Sequence, residues 1–153
     1  MSIFPTKILL ATDGSKEARQ AAQAAAELSK DTGSEVHIAY VLPSPVELRG
    51  HHLYSKEVMQ SVLEQAEGEA RSLLDEQAKQ IEASGGNVAE THLEMGKPDK
   101  EIVRLSEDLG VGTIVIGSRG LGAINRALMG GVSESVIRHA HCPVFVVRRN
   151  GAR

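Results

Sequence analysis

Cysteine, aromatic side chains, broad positive charge and long apolar runs are all scarce in this 153-residue chain, and each scarcity removes a class of protein. Cys142 is the one cysteine, so no internal disulfide forms, which suits a reducing compartment. Two Tyr, two Phe and no Trp argue against a stacked flavin and against an aromatic platform for single-stranded nucleic acid. Lys and Arg total 17 against 20 Asp and Glu, a formal charge of −3, so there is no basic field to hold a nucleic-acid backbone. No apolar run has the length of a membrane span. Residues 1–7 lack the apolar stretch and small-residue cleavage site of a signal peptide. The expectation is a cytoplasmic protein that binds neither nucleic acid nor membrane.

Three chemical signatures are also missing. No Gly-x-x-x-x-Gly-Lys-Ser/Thr occurs, which excludes a P-loop. Gly-x-Gly-x-x-Gly does not follow the first apolar run, and Gly120-x-Gly122 is followed at the third position by Asn125, so the dinucleotide fingerprint fails. Gly-x-Ser-x-Gly is absent, and no nucleophile with an adjacent base stands out. Fast covalent hydrolysis is not what this sequence encodes. A phosphoacceptor receiver domain would need clustered acids after the first strand and an Asp ending the third. The chain offers a single Asp13 and Glu94-Met95 there.

What is present is a regular alternation of strand and helix. Residues 7–11 (Lys-Ile-Leu-Leu-Ala) form a short apolar run that predicts a central strand. Ser15 or a neighbour caps an Ala-rich helix that stops near Gly33. Residues 35–41 predict a second strand, closed by Pro43 and Pro45, and residues 44–54 a polar loop. A long helix over 55–84 carries Val58, Val62, Ala66, Ala70, Leu73, Leu74 and Ile81 near one face. Residues 88–95 predict a third strand, 99–109 a helix, 113–116 a fully apolar fourth strand, 133–140 a last helix and 143–147 a fifth strand. Five strands alternating with helices imply parallel pairing through right-handed crossovers. The fold class is therefore α/β: a doubly wound, mainly parallel five-stranded sheet of the flavodoxin- or Rossmann-like kind. The whole chain, 1–153, reads as one domain with its core at 7–148, a size that buries roughly 68–70% of the unfolded surface.

Ligands of open α/β sheets sit outside the carboxyl ends of the strands, where the strand order reverses. Two such ends draw attention: Ala11-Thr12-Asp13-Gly14, and Ile116-Gly117 leading into a glycine-rich stretch that reaches Gly130-Gly131-Val132-Ser133. Backbone N–H groups at a helix start favour an anion, and glycine lets a phosphate approach closely. Ser133 adds a hydroxyl donor, and Arg119 and Arg126 add charge. The plainer reading of the same residues is that the glycines permit tight turns, Ser133 caps a helix and Asp13 stabilises a turn. His139, His141 and Cys142 straddle a helix end without a fourth ligand at matching spacing, and they read as structural. No metal ligand is assigned.

The arrangement Gly117-x2-Gly120-x9-Gly130 resembles the nucleotide-binding motif of universal stress proteins, Gly-x2-Gly-x9-Gly-Ser/Thr. Thr12-Asp13-Gly14-Ser15, the second strand ending at Val41, Gly96-x-Pro98 and His141-Cys142-Pro143-Val144 are similar too, so the resemblance covers nearly the whole chain. It implies a regulatory protein of the stress response that binds ATP, with Mg²⁺ or Mn²⁺ accompanying the phosphates. Asp13 would recognise adenine beside Ala11 and Thr12, and the Val41 backbone would touch the ring. Gly117, Arg119 and Gly120, below Ile116, would line ribose and phosphates. Gly130, Gly131, Val132 and Ser133 would hold the phosphate tail. The resemblance also implies a homodimer through the fifth strand, Val144–Val147. One position departs: Gly131 stands where the motif has Ser or Thr. The alternatives on the same scaffold are a slow ATP hydrolase and a dimeric interaction module that no longer binds ATP.

Overall fold

The computed structural model describes residues 3–44, 55–118 and 131–148. Five strands, β1 (Lys7–Thr12), β2 (Glu35–Leu42), β3 (Asn87–Met95), β4 (Thr113–Gly117) and β5 (Val144–Val147), form one sheet in the order β3-β2-β1-β4-β5. Every pairing is parallel. Of the two doubly wound orders open to such a sequence, this is the Rossmann-type one, in which the chain steps outward from β1 to β3 and then returns to pair β4 with the other side of β1. In both orders β5 lies at an edge. The strand-order reversal thus falls between β1 and β4.

Crossover handedness divides the helices between the two faces. Helices α1 (Lys16–Thr32) and α2 (Lys56–Ala83) cover one face, where Ile8, Leu10, Val36 and Ile38 pack on Ala21, Ala25, Leu74 and Ile81. Helices α3 (Pro98–Leu109) and α4 (Gly131–His139) cover the other, where Leu9, Ala11, Ala39, Val41, Ile114 and Ile116 meet Ile102, Leu105 and Val136. Residues 8–10 of β1 are wholly inaccessible to water, as expected for a strand covered on both faces. No helix among the described residues is long and apolar enough to cross a membrane.

The helix ends follow the signals in the sequence. Ser15 accepts from the Ala18 N–H at 3.1 Å to cap α1, and Ser55 caps α2 through the Val58 N–H at 3.2 Å. Gly33 and Gly110 close α1 and α3 in the left-handed region. Two differences from the sequence reading matter. The last helix begins at Gly131 rather than 133, so Ser133 lies inside its first turn and does not cap it. The apolar face of α2 is covered only in its second half: Ala70, Leu74 and Ile81 are buried, whereas Val58 and Val62 remain exposed. The first half of α2 extends beyond the part of the sheet that buries the second. The loop at 45–54 and most of the glycine-rich stretch fall outside the described residues.

Gly86, between α2 and β3, packs closely against both helices of the first face. A Cβ there would lie 2.6 Å from Ile81 Cγ2 and 3.3 Å from the Ala26 Cα. Gly86→Ala is expected to lower stability by about 1–3 kcal/mol through overpacking, read as a lower urea midpoint with an unchanged slope. A midpoint equal to the parent's would contradict the close approach of α1 and α2.

Candidate functional site

Register aligns the carboxyl ends of three strands. Thr12 lies opposite Tyr40, and Ala11 lies between Ala39 and Ile116, so Val41 and Gly117 sit at the same rim as Thr12. All are buried or half-buried, with Thr12 fully so. The chain leaves β1 through Asp13-Gly14-Ser15. Asp13 Oδ1 accepts the Ser15 N–H at 2.9 Å, and Gly14 adopts φ +81°, a conformation that favours glycine. The turn that sequence reading offered as the plain role of Asp13 therefore exists. This bond orients the Asp13 carboxylate at the rim.

On the other side of the reversal, Gly117 ends β4 against the first turn of α1. A Cβ at 117 would stand 3.0 Å from both the carbonyl carbon and the Cβ of Glu17. Only glycine lets β4 end this close to α1, and the glycine has a packing reason as well as the ligand reason inferred from sequence. Beyond the gap, Gly131, Val132 and Ser133 form the first turn of α4. They lie toward the positive end of the helix dipole. Ser133 is buried, and its Oγ donates to the Ser118 carbonyl at 3.4 Å, a long bond that ties α4 to the end of β4.

The structure thus brings together Ala11, Thr12, Asp13, Val41, Ile116, Gly117, Gly131, Val132 and Ser133 at one end of the sheet. Arg119, Gly120, Arg126 and Gly130 lie outside the described residues. Tyr40 and Glu17 also flank this rim and were not singled out by sequence. Burial, then the charges of Asp13 and Glu69, raise the Tyr40 phenol above its ordinary pKa, so it stays neutral. A tyrosine one residue before Val41, near the end of the strand, was the available signal.

A second concavity, of about 310 Å³, lies between α3 and α4 and is lined by Asp99, Val103, Arg104, Ser135 and His139 among others. It holds a serine, an aspartate and a histidine, but wired differently from a hydrolytic triad. Ser135 Oγ donates to Asp99 at 2.7 Å, and His139 Nδ1 binds the Ser135 backbone carbonyl at 2.9 Å. A ring nitrogen that donates to a carbonyl cannot take the serine proton. Burial opposes the Asp99 charge, but bonds from Ser135 and from backbone N–H groups outweigh it and hold the carboxyl below its ordinary pKa. Asp99 is thus an ionised acceptor that pins α4 to α3. His141 pairs with Glu107 at 3.1 Å, and burial raises the Cys142 thiol.

The comparisons with known proteins agree with the fold. Universal stress protein YxiE of Bacillus subtilis is 33% identical over 146 residues, covering 93% of this chain and 98% of that one. The solved structure of the protein MJ0577 has 29% identity and a TM-score of 0.80, covering 95% of this chain and 97% of that one. A universal stress protein of Archaeoglobus fulgidus, solved in complex with dAMP, shares the fold at 24% identity and a TM-score of 0.64, covering 95% and 99% of the two chains. The universal stress protein family, whose pattern matches residues 5–148, is the one to which this chain belongs.

Proposed function

We propose that this chain is a regulatory protein of the stress response that binds ATP at the β1–β4 reversal. One observation carries the reading. The carboxyl ends of β1, β2 and β4 and the N-terminal turn of α4 converge on one rim, with a carboxylate on one side and the positive end of the helix dipole on the other. That polarity suits a ligand with a hydrogen-bonding base at one end and an anion at the other. Asp13, beside Ala11, Thr12 and the Val41 backbone, takes adenine. Gly117, with Arg119 and Gly120, takes ribose and phosphate. Gly130, Gly131, Val132 and Ser133 hold the tail, which arrives with Mg²⁺ or Mn²⁺. The Archaeoglobus relative solved with dAMP supports the adenine preference. We read the binding as regulatory, in the cytoplasm, with at most slow turnover. We further read residues 1–153 as a single domain with its core at 7–148.

Asp13 tests the base end. Removing one partner of a buried polar pair costs about 1–3 kcal/mol. Asp13→Ala is expected to weaken ATP roughly 5–150-fold and to blur the preference over GTP in titration calorimetry. Asp13→Asn retains an oxygen for the Ser15 N–H, so it separates the turn from base recognition. It too should lose ATP affinity. If both variants bind ATP as the parent does, Asp13 is not at the base.

Gly131 tests the phosphate end. A Cβ at 131 would meet nothing within 4 Å, and the residue is exposed at the start of α4. Gly131→Ser therefore restores the family hydroxyl without a clash. It should tighten ATP by up to about tenfold, the worth of one added hydrogen bond. Weaker binding in Gly131→Ser would place the phosphates elsewhere.

The homodimer reading rests on β5. This edge strand leaves Phe145 half exposed, at 51%. Pro143 and Val147 accept from the Ile114 and Ser118 N–H groups of β4. By the alternation of a strand, Val144 and Val146 turn their own N–H and C=O groups outward. An unpaired apolar edge is a template for a second copy across a two-fold axis. Val146→Pro deletes an outward donor and leaves the β4 ladder intact. The parent should show dimer mass in light scattering and the variant a shift to monomer with unchanged circular dichroism. A parent that is monomeric at micromolar concentration would refute the dimer.

A further inference from the structure

Away from the nucleotide rim, β2 and β3 place four ionisable side chains on one face of the sheet: Glu35 and His37 on β2, Glu90 and His92 on β3. His37 pairs in register with Glu90, and Ala39 with His92, so the two histidines lie diagonally across adjacent strands. Their rings stack, with centroids 5.3 Å apart. His37 Nδ1 and His92 Nε2 approach to 3.1 Å, and His92 Nε2 stands 3.9 Å from Glu90 Oε2. One donor atom from each of His37, His92 and Glu90 falls within 4.8 Å of the others. The cluster lies about four residues along β2 from Val41, roughly 13 Å at the rise of a strand.

We infer that His37, His92 and Glu90 form a binding site for a divalent transition cation of the zinc type. The spacing fits. Two imidazole nitrogens bound at about 2.0–2.1 Å with a tetrahedral angle stand about 3.3 Å apart, close to the 3.1 Å between His37 Nδ1 and His92 Nε2. The Glu90 side chain is 63% exposed, so its carboxylate has room to swing onto the metal from its 3.9 Å distance to His92 Nε2. Beyond the ligands, Glu35 Oε1 lies 3.4 Å from His37 Nε2, the far ring nitrogen. A carboxylate there holds the N–H on Nε2 and presents the Nδ1 lone pair to the metal, the outer-sphere arrangement that orients metal-bound histidines. Without metal, His92 Nε2–H donates to that lone pair. Binding moves the His92 proton to Nδ1 by a tautomer change and replaces one hydrogen bond with two metal bonds. Two imidazoles and one carboxylate select zinc, cobalt or nickel over Mg²⁺, which takes oxygen ligands. The histidine side chains are 7% and 12% exposed and Glu90 is at the open rim, so the cation enters from the β3 edge and keeps water in its remaining position. By joining β3 to β2, it fastens an edge strand.

The test is titration of untagged full-length protein with Co²⁺ alone, followed by displacement with Zn²⁺. One equivalent of Co²⁺ should produce the visible absorption of a tetrahedral site, and Zn²⁺ should erase it. Saturating Zn²⁺ should raise the melting temperature by roughly 5–10 °C, and Mg²⁺ should leave it unchanged. His92→Gln and Glu90→Gln, near or on the open rim, should fold as the parent does and lose the cobalt spectrum. Glu35→Gln should keep the site but weaken it about 10–100-fold. His51→Gln/His52→Gln and His139→Gln/His141→Gln should bind as the parent does. A parent without the spectrum, a folded His92→Gln that retains it, or its loss in either control overturns the site.

Discussion

Strand β1 has parallel neighbours on both sides and helices over both faces, and this position governs the rest of the molecule. Its residues 8–10 are wholly buried and its register sets those of β2 and β4. Parallel pairing fixes that all strands end at the same side of the sheet. The return of the chain from β3 to the far side of β1 goes with α1 and α4, the helices that follow β1 and β4, packing on opposite faces of the sheet. A gap at this end of the sheet is a consequence of topology. What the sequence adds is the chemistry of its walls: a turn held by Asp13, a glycine at 117 that brings β4 against α1, and a helix that starts at Gly131 with small residues.

Much of this was legible without coordinates because the signals are local. Apolar runs of four to seven residues, serine at two helix starts and glycine at two helix ends give the elements nearly residue by residue, since each reports a backbone requirement that its own neighbours impose. The start of α4 was harder. Gly131 reads as loop by propensity, but it lies in a helix that buries Ser133 and Val136, a tertiary effect. The exposed first half of α2 was likewise invisible, because a helical apolar period carries no statement of how far the partner surface extends.

The site divides in the same way. Asp13, Gly117 and Gly131 were found from strand ends and glycine spacing, whereas Tyr40 and Glu17 reach the rim only through register and the packing of α1 on β4. The histidine pair illustrates the limit most clearly. His37 and His92 are 55 residues apart, and the irregularity after Val36 in the β2–β3 ladder shifts the register that sets them diagonally across it. Along the chain only His139, His141 and Cys142 lie close together; they read as structural, and the fold pairs His139 with Ser135 and His141 with Glu107 and leaves Cys142 half-buried.

The account stands or falls on where an adenine nucleotide binds. The most direct measurement is a titration of isotope-labelled protein with ATP and Mg²⁺, recording backbone amide resonances residue by residue. The account predicts saturable shifts at residues 11–14, 41, 117–118 and 131–133, with residues of the β3 edge such as Glu90 and His92 unmoved. Absence of saturable shifts, or shifts centred on the α3–α4 concavity around Asp99 and Ser135, would contradict it.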